Sequence, residues 1–193
     1  MPIHRSNFFV FTGGPGVGKT TLIRHLQSLG EKVVEETHRA VIAEQTAVGS
    51  RAVPWDDFAA CCALCVGRDI EKFDAAASET RRVFFDRGMM DGFDPRWAAP
   101  KALVAAAKVR RYNRRVFVFP PWREIYRIDA ERRQDWAEAE ATFERILGVL
   151  ERFDYEAVIV PRDTIEGRAR FVIAAVDRLA HGSGHPPACP GEP

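Results

Sequence analysis

The chain has 193 residues, 46% of them apolar and 28% charged, with a formal net charge of +1. That length suits one α/β domain with a sizeable core, and the even charge argues against a bulk nucleic-acid binder, which carries a basic excess. No apolar run approaches the roughly 20 residues of a membrane helix, and Met1–Asn7 lacks the apolar stretch and cleavage site of a secretory signal, so a cytoplasmic protein is expected.

Phe8–Thr12 is a short apolar run that reads as a strand. Gly13-Gly14-Pro15-Gly16-Val17-Gly18-Lys19-Thr20 follows and matches G-x-x-x-x-G-K-[ST] in full. A helix is predicted from Gly18 to Leu29, with Leu22, Ile23, Leu26 and Leu29 at helical spacing and Gly30 as the stop. Lys32–Glu36 reads as the second strand, and a helix begins near Thr37 and runs through Ala43. Pro54–Ser78 holds one long helix, with a break expected near Gly67. Val83–Asp86 is the third strand, Pro100–Tyr112 an alanine-rich helix, and Arg115–Phe119 the fourth strand. Asp135–Phe153 carries Trp136, Phe143, Ile146, Leu147 and Leu150 on one stripe. Ala157–Pro161 is the fifth strand and Ile165–Leu179 the last helix. His181–Pro193 is rich in glycine and proline and reads as a disordered tail, in which His181 and His185 have no helix to hold them for a metal. Apolar strands alternating with helices predict an α/β fold with a five-stranded parallel sheet between helical layers.

The phosphate-binding reading of Gly13–Thr20 follows from its chemistry. Backbone N–H groups must converge on phosphate oxygens, and glycine removes the Cβ that would block them. Gly13, Gly14, Gly16, Val17, Gly18, Lys19, Thr20 and Thr21 are the candidate contacts. The amides of residues 16–20 form an anion nest at a positive helix end. Pro15 shapes the loop without donating. Lys19 reaches the β- and γ-phosphates, the Thr20 hydroxyl suits a magnesium ion, and Thr21 lies on the α-phosphate side.

A carboxylate at the end of a neighbouring strand completes such a magnesium site, and Asp86 ends Val83–Asp86. Ligands of open α/β sheets lie beyond the carboxyl ends of the strands. Glu36, Arg39, Asp86 and Arg87 could therefore share one crevice, although a solvated helix start would also carry Glu36 and Arg39. Arg123, Arg127, Arg132 and Arg133 follow Pro120-Pro121-Trp122. Such arginines suit a flap that closes on transferring phosphates, with Arg123 and Arg127 as the catalytic candidates beside Lys19 and Asp86. Interspersed Glu124, Asp129 and Glu131 would equally suit an exposed charged helix. Cys61, Cys62 and Cys65 crowd one segment while Cys189 stands apart; core packing explains them better than a metal site.

The order of phosphate loop, Glu36-x-x-Arg39, Asp86-Arg87-Gly88 and Pro121-Trp122-Arg123-Glu124 resembles a family of small predicted ATPases named for an AAA domain. That family is similar to P-loop kinases such as thymidylate kinase and nicotinamide riboside kinase. The resemblance covers roughly Phe8 to Leu179 and implies a kinase-like strand order 2-3-1-4-5. It implies that Glu36, Arg39, Asp86 and Arg87 handle the acceptor, joined by Asp91. The stretch from about 121 to 135 would be a lid, and Pro161–Thr164 would pack against the base.

These readings predict an ATP- and Mg²⁺-dependent kinase acting on a small acceptor. A nucleotide-dependent switch acting through a protein partner, or a hydrolase of noncanonical triphosphates, would use the same loop. No guanine signature N-K-x-D is present to choose between ATP and GTP.

Overall fold

Successive residues of Phe8–Gly13 point to opposite sides of a sheet, and both sides are apolar, so this strand can be satisfied only between two helical layers. The computed structural model describes residues 2–125 and 136–180 and shows that arrangement. In chain order the elements are β1 (Ile3–His4), β2 (Phe8–Gly13), α1 (Lys19–Ser28), β3 (Lys32–Val34), α2 (His38–Ala47) and α3 (Phe58–Ala75). There follow β4 (Val83–Asp86), a 3₁₀ turn (Met89–Gly92), α4 (Lys101–Val109), β5 (Arg110–Arg111), β6 (Arg115–Phe119), α5 (Trp136–Arg152), β7 (Glu156–Ile159) and α6 (Ile165–Ala180).

Five strands form the main sheet in the order β3-β4-β2-β6-β7, every pair parallel. Numbered among themselves these strands run 2-3-1-4-5, the order the resemblance implied. Phe8 and Val10 face one core with Phe85, Val116, Val118, Tyr112 and the apolar sides of α3, α4 and α5. Phe9 and Phe11 face the other with Phe84, Phe117, Phe119, α1 and α6. Phe11 meets Phe84, Phe117 and Phe119 at ring separations of 5.4–5.5 Å, edge-on or tilted, as aromatic quadrupoles prefer.

Several boundaries differ from the sequence reading. β3 stops at Val34, so Glu35 and Glu36 lie beyond the strand. α2 extends to Ala47, past the Ala43 expected. α3 starts at Phe58, where the Asp57 side chain accepts from the Ala60 amide, and it passes Gly67 without a break. The helix predicted to Tyr112 ends at Val109, because Arg110 and Arg111 pair with Ile3 and His4 in a small second sheet. Arg127, Arg132, Arg133 and the segment from His181 to Pro193, with His181, His185 and Cys189, lie outside the described residues. Among the described residues no helix is long and apolar enough to cross a membrane.

Candidate functional site at the strand ends

The register that pairs Gly13 with Phe119 makes a side chain at Gly13 impossible. A Cβ there would lie 2.7 Å from the Phe119 carbonyl oxygen, and its φ is 145°. Gly16 and Gly18 follow with φ of 77° and 81°, the left-handed region that turns successive amides inward ahead of α1. Lys19, first residue of α1, is buried, and its Nζ donates to the carbonyls of Gly13 (2.8 Å) and Gly14 (2.7 Å). The ammonium thus ties the two ends of the loop together. Burial, and then the nearby Arg87 charge, bring the Lys19 pKa down to about 7. Thr20 and Thr21 follow on α1, Thr20 half-buried and Thr21 exposed.

Asp86 closes this end. It is buried at the last position of β4; one carboxylate oxygen lies 3.4 Å from the Thr20 hydroxyl, and Oδ1 is buried with no hydrogen-bond partner. Burial pushes its pKa up, against the opposing pull of Lys19. An orphaned carboxylate oxygen beside a hydroxyl is a hard-oxygen donor set of the kind Mg²⁺ takes, with water and phosphate oxygens supplying the rest. Thr20 and Asp86 fit that ion. Among the described residues no cluster of three histidine, cysteine, aspartate or glutamate residues could hold a metal by itself.

The other end of the crevice is made of side chains. Arg87 has φ 68°, unusual for a residue with a Cβ, while its amide continues the ladder to the Phe11 carbonyl at 2.9 Å. That turn aims the guanidinium into the crevice. There Nε donates to Glu36 (2.8 Å) and Nη1 to Asp91 (3.1 Å). Asp91, in the 3₁₀ turn, also accepts from the Gly88 amide at 2.9 Å and from the Thr12 hydroxyl of β2. Asp91 therefore ties β2 to Arg87, and its bonds leave little capacity for a ligand. Burial works against charge on Glu36 and Arg87 alike. Arg87 nevertheless holds Glu36 below the usual carboxylate range, and Asp91 with Glu36 raises Arg87 above its ordinary value.

One cavity of about 370 Å³ adjoins the start of the loop, while Lys19, Thr20 and Asp86 do not line it. Thr12, Gly13, Gly14 and Pro15 line one end, and Glu36, Arg87 and Asp91 line another part; Phe58, Met90, Phe93 and Ile146 add apolar walls. Arg39 is peripheral: its side chain is 64% exposed and touches Glu36 at 3.4 Å. Arg123 is exposed, with its guanidinium over the Trp136 ring at 5.1 Å, and does not line the cavity. Arg127 lies outside the described residues.

Three further residues emerge only here. His38, first in α2, lines the cavity with a buried Nδ1 that has no partner; burial and Arg87 lower its pKa to about 4, so the ring is neutral. Asp69 on α3 accepts from the Thr37 hydroxyl, and burial raises its pKa to about 7. Arg168 on α6 donates to the Val17 carbonyl at 3.3 Å. Helical spacing gave the signal for two of them. Asp69 falls on the buried stripe Cys61–Cys65–Phe73, and Arg168 on the stripe Ile165–Val172–Val176.

The family model described as an AAA domain matches residues 8–168. No curated protein matches the chain. Among solved structures, a NadR protein in complex with NR superposes with a TM-score of 0.63 at 18% identity, over 97% of this chain and 54% of that one. The chain thus spans about half the length of that protein. A thymidylate kinase from Ehrlichia chaffeensis gives 0.57 at 15% identity over 89% of this chain and 98% of the other. A deoxyadenosine kinase from M. mycoides gives 0.56 at 12% identity over 88% and 98%. The shared property is the P-loop kinase fold.

Proposed function

The chain belongs to this AAA-domain family, and we propose that it is an ATP-dependent small-molecule kinase that moves the γ-phosphoryl group onto a hydroxyl of a nucleoside-like acceptor. One observation carries this reading. One cavity is lined both by Thr12, Gly13, Gly14 and Pro15 at the start of the loop and by Glu36, Arg87 and Asp91, which supports a place for a second molecule next to the triphosphate. A hydrolase or a switch needs no such chamber.

The loop amides and Lys19 would hold the β- and γ-phosphates in line with the chamber, and positioning supplies much of the catalysis. Thr20 and Asp86 would hold Mg²⁺, which would neutralise charge on the phosphates. Glu36, ionised by its Arg87 partner, accepts a hydrogen bond from the acceptor hydroxyl and orients it. The oxygen of that hydroxyl forms the new P–O bond as the bond to the β-phosphate bridge breaks; ADP leaves, and the hydroxyl proton passes to the Glu36 carboxylate and from there to solvent. Apolar walls with paired charges favour an uncharged acceptor that has an unsaturated ring and hydroxyls. Arg96 and Arg145, the other arginines of the lining, are both engaged with Asp94. Three acceptor-side features sit with this reading: Glu36 and Arg87 in contact, Asp91 holding Arg87, and Arg39 at the rim. Arg123 and Arg127 are proposed to neutralise charge on the transferring phosphates.

The test is phosphate transfer from MgATP across nucleosides, nucleotides, sugars and vitamins. Turnover raised sharply by one acceptor supports the kinase. Phosphate release at roughly 1–100 per second with no acceptor would point to a hydrolase instead.

A further inference from the structure

Several half-buried arginines of the molecule find acids. Arg82 meets Glu31 and Asp177, Arg87 meets Glu36 and Asp91, and Arg110 meets Asp74. Arg168 is different. At 4% exposure it is the most buried arginine among the described residues, and no carboxylate of those residues lies within ion-pair distance of it. Asp163 is the nearest acid to act on it, and burial lowers its pKa against that pull. Nε is buried and has no hydrogen-bond partner. Burying a cation without a partner is costly, and a fold keeps one where something else compensates.

Its surroundings say what that is. Nη1 donates to the Val17 carbonyl, inside the phosphate loop. The guanidinium rests over the Trp122 ring at 5.2 Å, a cation–π contact that also shields it from water. It lies so close to the loop that a Cβ on Gly18 would stand 2.7 Å from Nη1. The charge therefore sits behind the first turn of α1, where the backbone already carries partial positive charge. Two like charges packed together make sense only if an anion joins them.

We propose that Arg168 is a positioning residue of the triphosphate site. It fixes the Val17–Gly18 peptide so that the following amides converge on the phosphates. Its charge, which no carboxylate of the described residues pairs directly, adds to the field at the start of α1, and the bound triphosphate is the counter-charge it serves. This rests on the triphosphate reading above.

The experiment compares the full chain with Arg168→Met and Arg168→Lys. MgATP affinity is measured by calorimetric titration at low and moderate salt, with melting temperature and circular dichroism alongside. The expected result is that Arg168→Met binds MgATP about tenfold or more weakly, with a shallower salt dependence, because one cation has left the site. Its melting temperature holds or rises, since an unpaired buried charge has been removed. Arg168→Lys keeps the salt dependence while losing part of the affinity. An affinity for Arg168→Met within about threefold of the unsubstituted chain overturns the proposal. So does a lowered melting temperature with unchanged salt dependence, which marks a structural strut only. If the unsubstituted chain itself binds no MgATP, the triphosphate reading has failed, a result separate from either of these.

Discussion

At the phosphate end of the crevice the working groups are backbone amides, set by Gly13, Gly16 and Gly18 with φ of 145°, 77° and 81° and steadied by one lysine. At the end proposed for the acceptor they are side chains delivered by separate segments: Glu36 after β3, Arg87 after β4, Asp91 from the 3₁₀ turn and His38 from α2. The first end is rigid because sterics leave glycine no substitute. The second is held by exchangeable charge pairs, so its substrate preference can change without rebuilding the fold.

That contrast can be broken by mutation. The largest effect is expected from Lys19→Ala: loss of about 3 kcal/mol of triphosphate stabilisation, roughly two orders of magnitude in MgATP affinity, with circular dichroism unchanged. Gly13→Ala should next cost about 2 kcal/mol of stability by thermal denaturation, since the Phe119 carbonyl at 2.7 Å belongs to a central strand and cannot give way. At the other end, Glu36→Gln should cut acceptor-dependent turnover roughly tenfold while leaving MgATP affinity within about twofold. Equal losses in both would show that the two ends are one unit.

Lys19 gives the contrast a pH signature. With its pKa lowered to about 7 in the free protein, it is charged below that pH and must take up a proton on binding above it. A bound polyanion raises that pKa, so MgATP affinity should be greatest below pH 7 and fall as pH rises, by at most about tenfold per unit. Titration in two buffers of different ionisation heat reads the proton uptake directly. The smallest effect belongs to Arg39→Ala: with a side chain 64% exposed, both stability and turnover should shift by less than about 0.5 kcal/mol.

The same contrast explains what could be read from sequence. Gly13–Thr20 announces itself because the chemistry constrains consecutive residues. Asp86 and Arg87 are nearly as legible, as they end an apolar strand. The expected strand order matches the structure, whereas the direct contact of Glu36 with Arg87 has no signal in the spacing. Arg39 was grouped with them by spacing, yet one helical turn carries it to the rim. Asp91 looked like a ligand contact, and only its bonds to Thr12, Arg87 and Gly88 reveal a structural hub. His38 and Arg168 stayed hidden because their meaning depends on which distant element packs over them: Arg87 beside one, Val17 and Trp122 beside the other.

α3 buries Cys61, Cys62 and Cys65, and burial raises all three thiols above their ordinary range, Cys62 to about 12. Only the thiolate alkylates at a useful rate, so in the closed fold these sulfurs are chemically silent. Iodoacetamide incorporation at α3 would then count openings of the helical layer over the cavity, and a bound acceptor that clamps that layer should slow the labelling.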